Sequence, residues 1–229
     1  MFAEQKGEIM KGVFDIIGPI MIGPSSSHTA GAARLGKLAR AILGEAPCQV
    51  VVKLHGSFAK TYRGHGTDKA IAAGLLDFSA DDERIPAALT LASKAGMKIE
   101  FIKSDLGAVH PNTACLEMLG KSGRKAVVMG SSIGGGSIIV TQINGYQVEL
   151  TGEYATLITI HEDRPGVVAQ VTQVLAQETV NVAFMRVSRQ ERGAEALMIL
   201  ESDEPISQLT YQIVATLPKI KLAMLVPPI

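Results

Sequence analysis

The stretch of this chain best equipped for chemistry is Gly23-Pro24-Ser25-Ser26-Ser27-His28-Thr29-Ala30-Gly31, a histidine preceded by three hydroxyl side chains. Imidazole changes charge near neutral pH, so His28 can donate, accept or move a proton. The Gly-Pro pair stops an apolar run, and a helical pattern begins directly after the histidine. Ser27 or Thr29 is expected to act as N-cap, its side-chain oxygen taking one of the first-turn amides that a helix leaves unpaired. The remaining amides and the positive end of the helix dipole then face the loop, ready for a carboxylate or phosphate. The ordinary alternative is a serine-rich cap on a surface helix. Two more histidines stand in turns of similar make-up, His65 in Gly64-His65-Gly66-Thr67-Asp68 and His110 in His110-Pro111-Asn112-Thr113.

The elements that must position these turns follow from periodicity. Leu35, Leu38, Ala39 and Ile42 keep helical spacing from Thr29 to Leu43, and Gly44 is expected to end that helix. Gly31 and Gly36 are each unfavourable in a helix interior by about 1 kcal/mol, which points to close approach by another backbone or a ligand. Cys48 to Gly56 reads as a strand closing on His55-Gly56-Ser57, and Thr67 or Asp68 as the cap of a helix through Ile71 and Leu75. The acidic turn Asp81-Asp82-Glu83 precedes a helix from Ile85 to Lys94, where negative charge suits the N-terminus. Met97 to Ile102 alternates as a half-buried strand, and a short helical run is expected through Leu116, Met118 and Leu119. Strands then flank the cluster Gly134-Gly135-Gly136, which lacks the Lys-Ser/Thr of a P-loop and has no helix after it, so a bent or bulged hairpin is expected. Asn144-Gly145 is a type I′ hairpin signal before the strand Tyr146 to Leu150. Nearer the start, Val13 to Ile22 is a short apolar segment broken by Gly18-Pro19.

Beyond Thr151-Gly152-Glu153 the pattern becomes regular. Strand, helix, strand, strand, helix and strand follow within about 75 residues, the ferredoxin-like split βαβ arrangement. Its first turn, Asp163-Arg164-Pro165-Gly166, would put Pro165 at the first helical position and allow a ligand close to the backbone. The expected fold class is therefore α+β with two domains, an α/β sandwich over residues 1–150 and a ferredoxin-like unit over residues 151–229.

Composition narrows the function. In 229 residues, 22 Lys and Arg balance 22 Asp and Glu, which argues against nucleic acid as partner, and aromatics at 4% leave few stacking platforms. No apolar run approaches a membrane span, and Met1 to Glu8 carries acidic residues without a signal-peptide core, so a soluble, cytoplasmic protein is expected. Cys48 and Cys115 sit singly in apolar surroundings, as small core residues do. Two thiols do not make an iron–sulfur site, which usually takes four.

The second unit resembles the ACT domain in its strand order, length and Asp163-Arg164-Pro165-Gly166 turn. The first resembles the beta chain of iron–sulfur-dependent L-serine dehydratase, through Gly23 to Ala32, His55-Gly56-Ser57, Gly64 to Asp68 and His110 to Thr113 in order. In that family this half looks like the allosteric-substrate-binding domain of some phosphoglycerate dehydrogenases. The resemblance implies conversion of L-serine to pyruvate and ammonia together with a serine dehydratase alpha chain that ligates a [4Fe–4S] cluster, and no metal ligand in this chain. It implies catalytic roles for His28, Ser26 and Ser27, and substrate contacts for Ser25, Thr29, His65, His110 and Asn112. It also implies a regulatory ligand at Asp163, Pro165 and Gly166, and an ACT-mediated homodimer. Two other readings stay open at this point: a non-catalytic regulatory subunit that senses an amino acid, and a free-standing anion sensor.

Overall fold

A computed structural model describes residues 20–229. The apolar segment from Val13 to Pro19 and the acidic N-terminus lie outside the described residues. Two sheets carry the described residues. The first has six strands in the order β2-β1-β3-β4-β5-β6, comprising β1 (Pro47–Leu54), β2 (Lys98–Lys103), β3 (Thr113–Gly120), β4 (Lys125–Gly134), β5 (Ser137–Ile143) and β6 (Tyr146–Leu150). β1 and β2 are parallel, and every other pair in this sheet is antiparallel. The crossover from β1 to β2 holds α2 (Gly56–Thr61), α3 (Thr67–Leu75), a 3-10 turn at Ile85–Ala87 and α4 (Ala88–Lys94). Before β1, a π-turn at Ser26–Ala30 runs straight into α1 (Gly31–Leu43).

The second sheet has the order β10-β7-β9-β8, all antiparallel, from β7 (Ala155–Glu162), β8 (Phe184–Arg189), β9 (Glu195–Ser202) and β10 (Ile220–Val226). Helices α5 (Val167–Gln177) and α6 (Gln208–Ala215) connect its strands and pack Val171, Val174, Leu175 and Val214 on one face, against Leu157, Met198 and Leu200. The opposite face, through Ile158, Leu197, Ile199 and Val226, joins the same core as Leu35, Leu38 and Ile42 of α1. Period-2 alternation makes this possible, since successive side chains of β7 and β9 enter different cores. Chain-end contacts reinforce the joint: Arg34 Nη2 donates to Ile229 O at 3.1 Å and Ile229 N to Gly152 O at 2.9 Å. No helix among the described residues is long and apolar enough to cross a membrane.

The glycines of α1 both mark close approach, at Gly36 by another backbone as expected, and at Gly31 by the Ser132 side chain, which corrects the expectation there. A Cβ at Gly36 would lie 2.5 Å from Ile71 O, and one at Gly74 would lie 2.6 Å from Lys37 N, so the backbones of α1 and α3 meet with no side chain between them. Gly44 ends α1 with φ at 80°, and the Asn144-Gly145 turn has positive φ at both positions, as type I′ requires. The Gly134–Gly136 segment is a bulged hairpin between β4 and β5.

The expected helical run at Leu116, Met118 and Leu119 is corrected: it is β3, with Leu116 and Met118 buried. Ala, Leu, Glu and Met favour helix, yet this segment lies between β1 and β4, and ladder bonds on both sides outweigh a propensity of tenths of a kcal/mol per residue. The cap expected at Thr67 or Asp68 is also corrected. Gly66, with φ at 71°, holds the N-cap of α3 without a side-chain bond. Pro165 precedes the N-cap Gly166 of α5 and is not the first helical residue.

Candidate active site

The π-turn owes its start to Ser25. Its backbone is extended (φ −149°, ψ 126°), its hydroxyl accepts from His28 N at 3.2 Å, and its carbonyl accepts from Thr29 N at 2.8 Å. Ser25 is thus the cap, which corrects the expectation of Ser27 or Thr29. The turn is wide because Gly31 N reaches back five residues to Ser26 O, a geometry frequent at functional sites. Thr29 is buried, with its hydroxyl 3.5 Å from His65 O. Ser26 and Ser27 are half-buried and supply the first two amides of the turn, which precede any acceptor within the helix.

His28 is held by four neighbours. Its Nδ1 lies 3.4 Å from Ser25 Oγ and its Nε2 3.2 Å from Ser57 Oγ. The buried Phe58 ring meets it edge-on at 5.3 Å between centroids, and the His65 ring lies at 4.9 Å. Burial first, and the neighbouring His65 second, hold its pKa below the ordinary 6.5. Both hydroxyls can donate or accept, so the neutral ring is satisfied as either tautomer. A half-buried neutral imidazole in this setting can take a proton at one nitrogen while the other is steadied by a serine.

Ser57 was missed as a site residue, although its motif stands out at a strand end. It opens α2 directly after Gly56, whose φ is 55° and whose missing Cβ would lie 2.6 Å from Pro111 O. That approach lets Pro111 O accept from Ser57 N at 2.8 Å, so the His110-Pro111-Asn112 loop clamps the helix carrying Ser57. His110 itself is exposed. Its Nδ1 accepts from Asn112 N at 3.1 Å and its carbonyl from Thr113 Oγ1 at 2.6 Å, which gives it a turn-shaping place beside the site. Asn112 O accepts from Ser132 N at 3.0 Å. Asn112 Oδ1 and Ser132 Oγ are both buried without a hydrogen-bond partner among the described residues. Ser132 presses on Gly31, where a Cβ would lie 2.8 Å from Ser132 Cβ, so two unsatisfied polar atoms stand behind the π-turn.

On the other side of Thr29, a cavity of about 220 Å³ is lined by Pro24, Arg63, His65 and Lys69. Arg63 and Lys69 give this wall a positive character suited to an anion. Neither they nor Ser132 stood out in the sequence, because single basic residues and a serine beside a glycine cluster are common. The structure therefore brings Ser25, His28, Thr29, Ser57 and His65 together, with Asn112 behind them and His110 at the rim.

The loop of the second unit is placed differently. Asp163 Oδ2 accepts from Gly193 N at 2.9 Å and Arg189 Nη1 at 3.0 Å, and these bonds keep its pKa below the usual carboxylate range. Its carboxylate is thereby engaged within its own domain, while Pro165 and Gly166 are exposed. The residues present do not fit an iron–sulfur cluster. Cys115 is buried and its thiol pKa pushed up by burial, Cys48 is half-buried, and no three His, Cys, Asp or Glu among the described residues converge on a metal position.

Comparison with known proteins decides the family. The family described as serine dehydratase beta chain matches residues 12–94, and the ACT domain matches residues 155–218. The probable L-serine dehydratase beta chain of Bacillus subtilis is 47% identical over 210 residues, covering 92% of this chain and 95% of the relative. The chain belongs to the serine dehydratase beta-chain family. A second family member, the L-serine dehydratase beta chain of Peptoniphilus asaccharolyticus, is 38% identical across 85% of this chain and 88% of its own. D-3-phosphoglycerate dehydrogenase of Archaeoglobus fulgidus is 28% identical over 76% of this chain, but that region is 33% of the dehydrogenase. In this beta chain, the His28 turn and the Ser57 turn both fall inside the matched residues 12–94.

Proposed function

We propose that this beta chain supplies the substrate-holding and proton-handling residues of an L-serine dehydratase, working with an alpha chain that ligates a [4Fe–4S] cluster. The overall change is α,β-elimination. A proton leaves Cα, hydroxide leaves Cβ, and the resulting enamine tautomerises and hydrolyses to pyruvate and ammonia. The observation that carries this reading is His28: a half-buried imidazole held neutral between Ser25 and Ser57, in a chain that aligns along nearly its whole length with L-serine dehydratase beta chains.

In this reading His28 accepts or returns a proton at Nε2 or Nδ1, and the serine at the other nitrogen fixes the ring's orientation. The Ser26 and Ser27 amides, with the positive end of the helix, hold the carboxylate of L-serine, and Arg63 and Lys69 add positive charge nearby. Thr29, His65 and Asn112 complete the polar lining, and Ser132 joins them. β8 is an outer strand with exposed Met185 and Val187, a surface suited to pairing with a second copy.

The test is anaerobic co-purification with the alpha chain and measurement of pyruvate release. His28→Ala is expected to lower turnover by about 10²- to 10⁴-fold, the usual contribution of general acid–base catalysis. Unchanged turnover in that variant would leave the beta chain as a non-catalytic regulatory subunit.

A further inference from the structure

A second cavity, about 460 Å³ in volume, lies where the two sheets meet. Its floor is the face of the second sheet turned away from α5 and α6, and its wall is the end of β6 with the residues linking it to β7. Glu201 of β9 pairs in register with Phe184 of β8, and Ile199 with Arg186, so these four side chains share that face. Opposite them stand Glu149, Glu153 and Tyr154. Tyr154 and Phe184 meet edge-on with ring centroids 5.3 Å apart.

Glu201 is the unexpected member. It is 8% exposed on a face that is otherwise apolar at Leu197 and Ile199, and its Oε1 is buried with no hydrogen-bond partner among the described residues. A carboxylate left this way is costly unless something else supplies a donor. The neighbouring cation does not, because Arg186 Nη2 bonds Glu149 Oε2 at 2.6 Å. Burial first, and then Glu153 and Glu149 nearby, push the Glu201 pKa up, so its charged form is held at a cost that a bound cation would relieve. With three carboxylates against one guanidinium, the cavity keeps an excess of negative charge beside two aromatic rings.

We infer that this cavity between the two domains binds a small organic molecule through a primary ammonium group, with Glu201 as its acceptor and Tyr154 and Phe184 as the apolar and cation–π wall. Three convergent His, Cys, Asp or Glu ligands for a metal ion are absent among the described residues, so the ammonium class fits better than an inorganic cation. This inference is independent of serine dehydration and of the Asp163 loop. Because both domains line the cavity, its occupant bears on their joint.

The experiment is calorimetric titration of the full beta chain with phenethylamine, L-phenylalanine and potassium chloride. Phenethylamine is expected to bind, potassium chloride to give no saturable heat, and L-phenylalanine to separate the amino-acid source from the simple amine. Binding of both organic probes would assign the ammonium alone, and binding of L-phenylalanine only would add Arg186 as carboxylate partner; both support the site if Glu201 is required. Glu201→Gln is expected to weaken binding about tenfold or more while leaving the thermal midpoint equal or higher, since it removes a buried charge without a partner. Phe184→Ala, at an exposed edge position, is expected to weaken binding without unfolding the chain, and it provides the decision if Glu201→Gln fails to fold. Absence of saturable heat with both organic probes, or wild-type affinity in whichever of these variants folds, would overturn the proposal.

Discussion

His28 Nε2 and Ser57 Oγ stand 3.2 Å apart although 29 residues separate them in sequence. One leads into α1 and the other opens α2, and β1 runs between them. The imidazole is therefore steadied from two directions, by Ser25 within its own turn and by Ser57 from another element. Ser57→Ala is expected to reduce pyruvate release by the complex about tenfold, equivalent to ~1.4 kcal/mol, the size of one orienting hydrogen bond. Circular dichroism should be unchanged, since Ser57 is half-buried and its backbone bond to Pro111 O survives the substitution.

His65 sits close enough to discourage a second positive charge on His28. If neutral His28 accepts the proton, activity is retained as pH falls below the ordinary histidine value of 6.5 and is lost only as His28 protonates. His65→Gln removes the repulsion but not the burial. The acid limb of the kcat/KM profile is then expected to move toward higher pH, and nuclear magnetic resonance titration of the His28 ring in the isolated chain should move the same way. A limb that stays in place would detach His65 from the proton chemistry.

The meeting of α1 and α3 makes a sharp prediction for stability. Gly74→Ala forces a methyl group against the Ala33 carbonyl and the Lys37 amide, neither of which can rotate away. A loss of about 1–3 kcal/mol or more is expected in urea unfolding, as for overpacked cores. Gly64→Ala is the control, because its added Cβ meets only Thr61 O at 3.7 Å, and its unfolding midpoint should match the parent.

Acid is expected to weaken the fold through His161 as well as His28. His161 is 2% exposed on the helix-covered side of β7, and burial keeps its pKa below 6.5 despite the opposing pull of Asp163. In the unfolded chain the imidazole titrates near its ordinary value, so between the two pKa values the unfolded state binds more protons. Stability is therefore full above about pH 6.5 and declines as pH falls through that window. Urea midpoints measured across it should fall less steeply for His161→Gln than for the parent.

Much of this architecture is legible in the residues, and the parts that are not have identifiable causes. The second unit is readable because its alternating strands and 3.6-period helices agree with one another at every step. Gly31 and Gly36 also announce tight packing, since no helix keeps such residues in its interior without cause. The strand β3 is not readable, because Ala114 to Leu119 resemble a helix until β1 and β4 bracket them. The cap at Ser25 is hidden by its neighbours, because Ser26, Ser27 and Thr29 offer the same hydroxyl and the π-turn at Ser26–Ala30 starts the helix ahead of the apolar periodicity that opens at Leu35. Ser57 and Ser132 reach the His28 turn only through tertiary contacts, and their types carry no signal at a distance. Glu201 is invisible for a similar reason: in sequence it merely closes an apolar strand.

The backbone-to-backbone contact of α1 and α3 at Gly36 and Gly74 has a consequence for engineering. The two helices behave as one casting, with the His28 turn leading into one and the His65 turn into the other. Grafting the Ser-Ser-Ser-His segment alone onto a different scaffold would carry the imidazole without the partner that tunes it. Insertions within either helix would rotate one turn out of line with the other, and the stretch after Leu76 belongs to the same unit, because Ile22 N, just before the turn, donates to Ala80 O at 2.9 Å. A transplantable unit therefore runs at least from Ile22 through Ala80, together with the His110-Pro111-Asn112 clamp that seats Ser57 and the strand that sets Ser132 against Gly31.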